Sequence, residues 1–88
     1  MRKCVENYLK KIDYAFTSKY DSELPFYLNL LNYVHLYNEL DLMKNEIFTM
    51  YWNDFISIEE QEMLQDAIYD VKEKYVKLLE ILAVKNNA

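Results

Sequence analysis

The sequence has no glycine and a single proline, Pro25, in 88 residues. Tight hairpins need residues at positive φ, which glycine supplies without steric cost, so hairpin-rich sheets and barrels are disfavoured. A glycine-rich phosphate loop is excluded outright. The lone cysteine, Cys4, can form no internal disulfide, which points to a reducing compartment; near a terminus it reads as a small packing residue. His35 is the only histidine, and with Glu39 one turn later it falls short of the three or four ligands that zinc or a transition metal needs. It reads as a core or edge residue. No run approaches the ~20 apolar residues that span a bilayer, and no apolar stretch near the N-terminus leads to a small-residue cleavage site. A cytoplasmic protein without membrane contact, metal or cofactor is expected.

What the chain does contain is apolar and acidic. Apolar residues make up 52%, above the share that marks disordered segments, so one hydrophobic core can form; a chain this short cannot form two. Residues 1–88 are therefore expected to be a single helical domain. The formal charge is −5, which works against contact with nucleic-acid backbones and anionic lipid. The sign is uneven. Residues 1–20 carry Arg2, Lys3, Lys10, Lys11 and Lys19 against Glu6 and Asp13, a net +3, while residues 21–88 carry −8. A basic first helix can dock on an acidic remainder, but +3 joined to −8 is a poor footprint for direct nucleic-acid binding. Lys, Asn, Tyr and Ile are abundant, and their AT-rich codons suggest an AT-rich bacterium or its phages and plasmids.

The periodicity predicts helices. Val5, Leu9, Ile12 and Phe16, with Tyr8 and Ala15 beside them, make an apolar face over residues 3–19. Asp21 and Ser22 are N-cap candidates and Pro25 suits a first turn, so a second helix is expected from near Glu23 to about Asn38. That segment is apolar almost all round: Leu24, Leu28 and Leu31 on one side, Phe26, Leu30, Tyr33 and Tyr37 on another. Such a helix is central in its bundle or covered by another chain. Leu40, Met43, Ile47 and Met50 form a stripe rotated by more than a quarter turn from the earlier one. The phase slip argues for a break near Asn38–Asp41, although one kinked helix over 23–53 would also fit. Asn53 and Asp54 can end it, with asparagine suited to a left-handed cap. Ser57 followed by Glu60 matches a capping box that starts the last helix.

The last helix carries two opposed stripes. Leu64, Ile68, Val71, Tyr75, Leu78 and Leu82 step by four and three and form one apolar seam. Glu59, Glu62, Asp66, Asp70 and Glu73 step by the same rule on the opposite side. Charges so placed rise by roughly 4.5 to 6 Å along the axis, approaching the ~7 Å between phosphates of one nucleic-acid strand, so the row can imitate a backbone before a basic partner. The plainer account is a solvated face, since first-turn acids are favoured by the helix dipole alone.

Nine tyrosines supply the second candidate, because aromatic side chains carry large contact area at little rotamer cost. Phe26, Tyr33 and Tyr37 form one possible patch; Tyr51, Trp52 and Phe55 another. Core packing accounts for such residues equally well in a small chain.

These observations favour an all-α antiparallel bundle of four helices, or three if residues 23–53 are one helix. The expected function is non-enzymatic: the binding and inhibition of another protein through the acidic face (Glu59, Glu62, Asp66, Asp70, Glu73) or the aromatic residues (Phe26, Tyr33, Tyr37, Tyr51, Trp52). A phage or mobile-element accessory factor would fit the size and charge. The alternative is a homodimeric structural or adaptor module.

Overall fold

The computed structural model describes residues 2–87, and among these three stretches are helical: α1 (Lys3–Thr17), α2 (Phe26–Trp52) and α3 (Ile58–Asn87), with no strand among the described residues. Local chemistry fixes several of their ends. The Ser57 hydroxyl accepts the Glu60 N–H at 3.1 Å while the Glu60 carboxylate accepts the Ser57 N–H at 2.8 Å, the reciprocal capping box that starts α3. At the end of α2, Phe55 N–H returns to the Met50 carbonyl and Asp54 N–H to that of Tyr51, the paired closure of a Schellman turn. The left-handed residue of that turn is Asp54, at φ 64°, one position after the asparagine that composition alone favours. Aspartate tolerates this region better than most non-glycine residues because its short side chain can bond locally.

The second helix begins at Phe26 rather than near Glu23. Asp21 does not cap it; its carboxylate accepts the Glu23 N–H at 2.9 Å and closes a turn within the loop instead. Pro25, extended at ψ 163°, occupies the position before the first helical residue.

The three helices run up, down and up. Tyr8 and Lys11 of α1 reach Glu46 of α2 while Lys19 reaches Glu39, so these two helices oppose each other. Gln65 of α3 contacts Lys44 and Tyr75 contacts Asn29, so α2 and α3 oppose as well. Arg2 ties the start of α1 to the loop and first turn of α3 by donating to the Phe55 carbonyl at 2.6 Å and pairing with Glu60 at 3.4 Å. The result is a slender body of 51 × 21 × 16 Å.

Of the two expected arrangements the four-helix one is not found, and the three-helix one, with a single helix through residues 23–53, is matched by α2. The second helix continues through Asn38–Asp41 without interruption, and the phase slip read from its leucines is not a change in the buried face. Its core stripe is Asn29, Tyr33, Leu36, Leu40, Met43, Ile47 and Met50, one unbroken alternation of four- and three-residue steps. Leu30 and Leu31, which suggested a different face, are exposed. A polar residue, Asn29, opens the stripe and hid its start.

Asn29 is completely buried and fully partnered. Its amide donates to the carbonyls of Asp21 at 2.7 Å and Leu24 at 3.3 Å, and its side-chain oxygen accepts the Asp21 N–H at 3.1 Å. Its backbone carbonyl accepts the hydroxyl of Tyr75, also completely buried, at 2.9 Å. The Tyr75 ring meets Phe16 of α1, Tyr20 of the loop and Tyr33 of α2 at centroid distances of 5.7, 5.4 and 5.2 Å. One side chain thus touches every other part of the bundle at this level.

The α1 docking expectation is met in its geometry: Arg2, Lys11 and Lys19 all pair with acids of the other helices. Exposed pairs of this kind contribute ~0 to 1 kcal/mol each. Burial of Val5, Ile12 and Phe16 stabilises by roughly 1.5 to 3 kcal/mol per side chain. The apolar seam therefore holds α1 in place, and the charges orient it. Cys4, expected to pack, is exposed on this helix.

Removing the Asn29 amide takes the partner from the part-buried loop groups of Asp21 and Leu24 and opens a hole at a completely buried position. Asn29→Ala is expected to lower unfolding free energy by about 3 kcal/mol and Tyr75→Phe by about 1 kcal/mol. Urea unfolding checks both, as a lower midpoint at unchanged slope; equal effects of the two substitutions would contradict the assignment of the larger share to the amide.

Candidate interaction surfaces

The two stripes of α3 keep to their sides. Leu64, Ile68, Tyr75 and Leu82 are buried, Val71 and Leu78 are partly buried against the core, and Leu79 joins the seam. Glu59, Glu62, Asp66, Asp70 and Glu73 are all exposed.

The acids are not equivalent in their surroundings. Glu73 pairs with Lys77 at 3.3 Å, and Lys74, beside it, lies over the ring of Phe16. Positive charge therefore closes the row at that end. Glu59, Glu62, Asp66 and Asp70 have no cation within 4.0 Å among the described residues, whereas Glu39, Asp41, Glu46 and Glu60, which face other helices, are each paired. The four free carboxylates border an open groove of about 490 Å³ between α1 and α3, with Leu9, Met63 and Ala67 along it. An apolar floor beside a row of carboxylates suits lysine and arginine side chains, whose aliphatic stems cover apolar surface while the charged heads reach outward.

The aromatic residues divide differently from the grouping their sequence positions suggest. Phe26, Tyr33 and Tyr51 are packed partly against the core. Tyr37 and Trp52 are exposed. Trp52 does not gather with Tyr51 and Phe55; it stacks on Phe48, one turn earlier, with centroids 6.0 Å apart and planes 15° from parallel. Phe48 in turn lines a second groove, of about 480 Å³, between α2 and α3, together with Lys44, Ile68 and Tyr69. Sequence reasoning missed Phe48 and Tyr69. The four-residue step from Phe48 to Trp52 was the available signal for the first; Tyr69, adjacent to the buried Ile68, carried none.

No group of three or more His, Cys, Asp or Glu side chains is placed to share a metal ion among the described residues. His35 is exposed. No helix among the described residues is long and apolar enough to cross a membrane.

Three phenols are perturbed. Burial first, then its hydrogen bond to Glu46 and the charge there, push Tyr8 well above the usual range. Burial, and then Tyr37, raises Tyr33. Burial, and then the neighbouring Tyr20, pushes Tyr75 up to about 12. In each case the surroundings disfavour the phenolate.

Comparison with known proteins finds no family model that matches the chain, and no curated protein or solved structure that matches it.

The raised phenols set an alkaline limit to stability. A group whose pKa is higher in the fold contributes stabilisation that is complete below its unfolded value and lost as pH climbs through the folded one. For Tyr75 that window runs from 10.0 to about 12. Phenolate absorbance and helical circular dichroism, followed together, are expected to show helix loss over this window and none below it. Helix loss complete before pH 10 would contradict the assignment.

Proposed function

We propose that this chain is a non-catalytic binding module that takes a lysine- or arginine-rich segment of another protein into the acidic groove between α1 and α3, and modulates that protein by occupying its basic surface. The observation that carries this function is the contrast in pairing. Acids that face other helices have cations, and the run Glu59, Glu62, Asp66 and Asp70 has none among the described residues. Those four span twelve residues of one helix, a rise of ~16 Å, in steps of about one turn.

Like charges one turn apart, such as Asp66 and Asp70, destabilise a helix by roughly 0.2 to 0.5 kcal/mol per pair. The bundle carries that cost easily, and a basic ligand would turn it into attraction. The steps also approach the spacing of phosphates along a strand, which favours a partner surface that otherwise holds a nucleic-acid backbone. Small size, acidity and codon bias fit an accessory inhibitor carried by a phage or another mobile element.

The groove is tested with an arginine-rich helical peptide as probe. Asp66→Asn combined with Asp70→Asn is expected to weaken its binding about tenfold, consistent with two exposed charge contacts. Glu23→Gln combined with Glu80→Gln, the same change of net charge at exposed sites outside the groove, is expected to change it less than twofold. Affinity should fall steeply with salt, because exposed charges are screened over ~8 Å at physiological ionic strength. Equal losses from both double variants would mean that overall charge alone attracts the peptide, and the groove would lose its role.

A further inference from the structure

We propose that the face of α2 and α3 opposite α1 binds a second copy of this chain, so that two copies join their α2–α3 pairs into a four-helix core. The contacts of α2 define its two flanks. Met43 and Glu46 meet α1 and Glu39 meets Lys19 just beyond it, while Asp41 and Lys44 meet α3. At 100° per residue, Leu30, Val34, Phe48 and Trp52 fall on the flank away from α1, and Tyr69 and Val76 fall on the adjoining flank of α3. All six are exposed, Trp52 at 73% and Tyr69 at 65%. Scattered exposed apolar residues need no explanation, but apolar clusters at both ends of one face shared by two adjacent helices mark an interaction surface.

Dimensions and charge select the occupant. The 27 residues of α2 run for ~40 Å, and two adjacent helices present a width of ~20 Å. The resulting ~800 Å² is what each partner contributes to a stable interface of standard size. Asp41, Lys44 and Lys72 lie near the middle of the length of this face, with Leu30 and Val34 toward one end and Phe48 and Trp52 toward the other, and the exposed Glu62 and Glu73 border it on α3. Lys72 already pairs with Asp41 at 3.2 Å, and Lys44 has no acid within 4.0 Å among the described residues. A twofold axis through this band lays each apolar end over the opposite end of the other copy and brings each Lys44 to the second copy's Asp41. Such self-complementarity is what an isologous interface requires.

Trp52 is the only tryptophan, so its emission reports on this face alone. Raising the concentration of the unmodified protein from nanomolar to several hundred micromolar is expected to shift that emission to shorter wavelength as the mass by sedimentation equilibrium doubles from 10.7 kDa. Phe48→Glu and Lys44→Glu, at exposed positions, should each weaken the dimer at least about 30-fold with unchanged helical circular dichroism. A 10.7 kDa species throughout, or a dimer that survives either substitution, would overturn the proposal. So would a monomer whose Trp52 emission shifts only on addition of an amphipathic helical peptide, which would assign the face to a foreign helix.

Discussion

The structure depends on Tyr75. Its hydroxyl is fixed by the Asn29 carbonyl, and its ring is enclosed by Phe16, Tyr20 and Tyr33. Among the aromatic ring contacts of the described residues, only those of Tyr75 reach α1, the first loop and α2 together. Edge-to-face contacts of this kind are worth ~0.5 to 1.5 kcal/mol each beyond burial, and the hydroxyl avoids the penalty of an unpaired buried polar group. Asn29 completes the arrangement by holding the loop between α1 and α2 against the bundle. The register of all three helices is set at this one level.

From that register follows the division of charge. Once α1 lies along α2 and α3, its cations Arg2, Lys11 and Lys19 meet Glu60, Glu46 and Glu39. The acids on the outer side of α3 are out of their reach. A chain with a net charge of −5 therefore spends part of its basic charge internally and presents concentrated negative charge along one groove. The same packing covers only one side of the α2–α3 pair, because α1 is 15 residues long and there is a single such helix to lay across it. The acidic groove opens toward α1, and the uncovered apolar residues lie on the flank away from it.

The α3 helix was legible because its two demands lie on opposite sides: one seam enters the core and one row faces water, so periodicity separates them. The capping box was equally plain, being a matter of two residues three apart. The candidate acids were found from the same periodicity, although which of them lack an internal cation depended on where α1 and Lys77 lie. The inward face of the second helix was not legible. That helix meets α1 on one flank, α3 on the next and keeps apolar side chains such as Val34 and Phe48 on a third. Hydrophobicity on all sides gives no preferred phase, and the leucines outside the core suggested a break that the backbone does not have.

The sequence by itself determined that the chain is helical, where α3 begins and which way α3 faces, because those properties follow from residues within one or two turns of each other. Tertiary structure alone decided which side of α2 is inside. That choice rests on Asn29 finding partners eight residues earlier in the loop and 46 residues later in α3, and hydrogen bonds across such separations leave no trace in local periodicity.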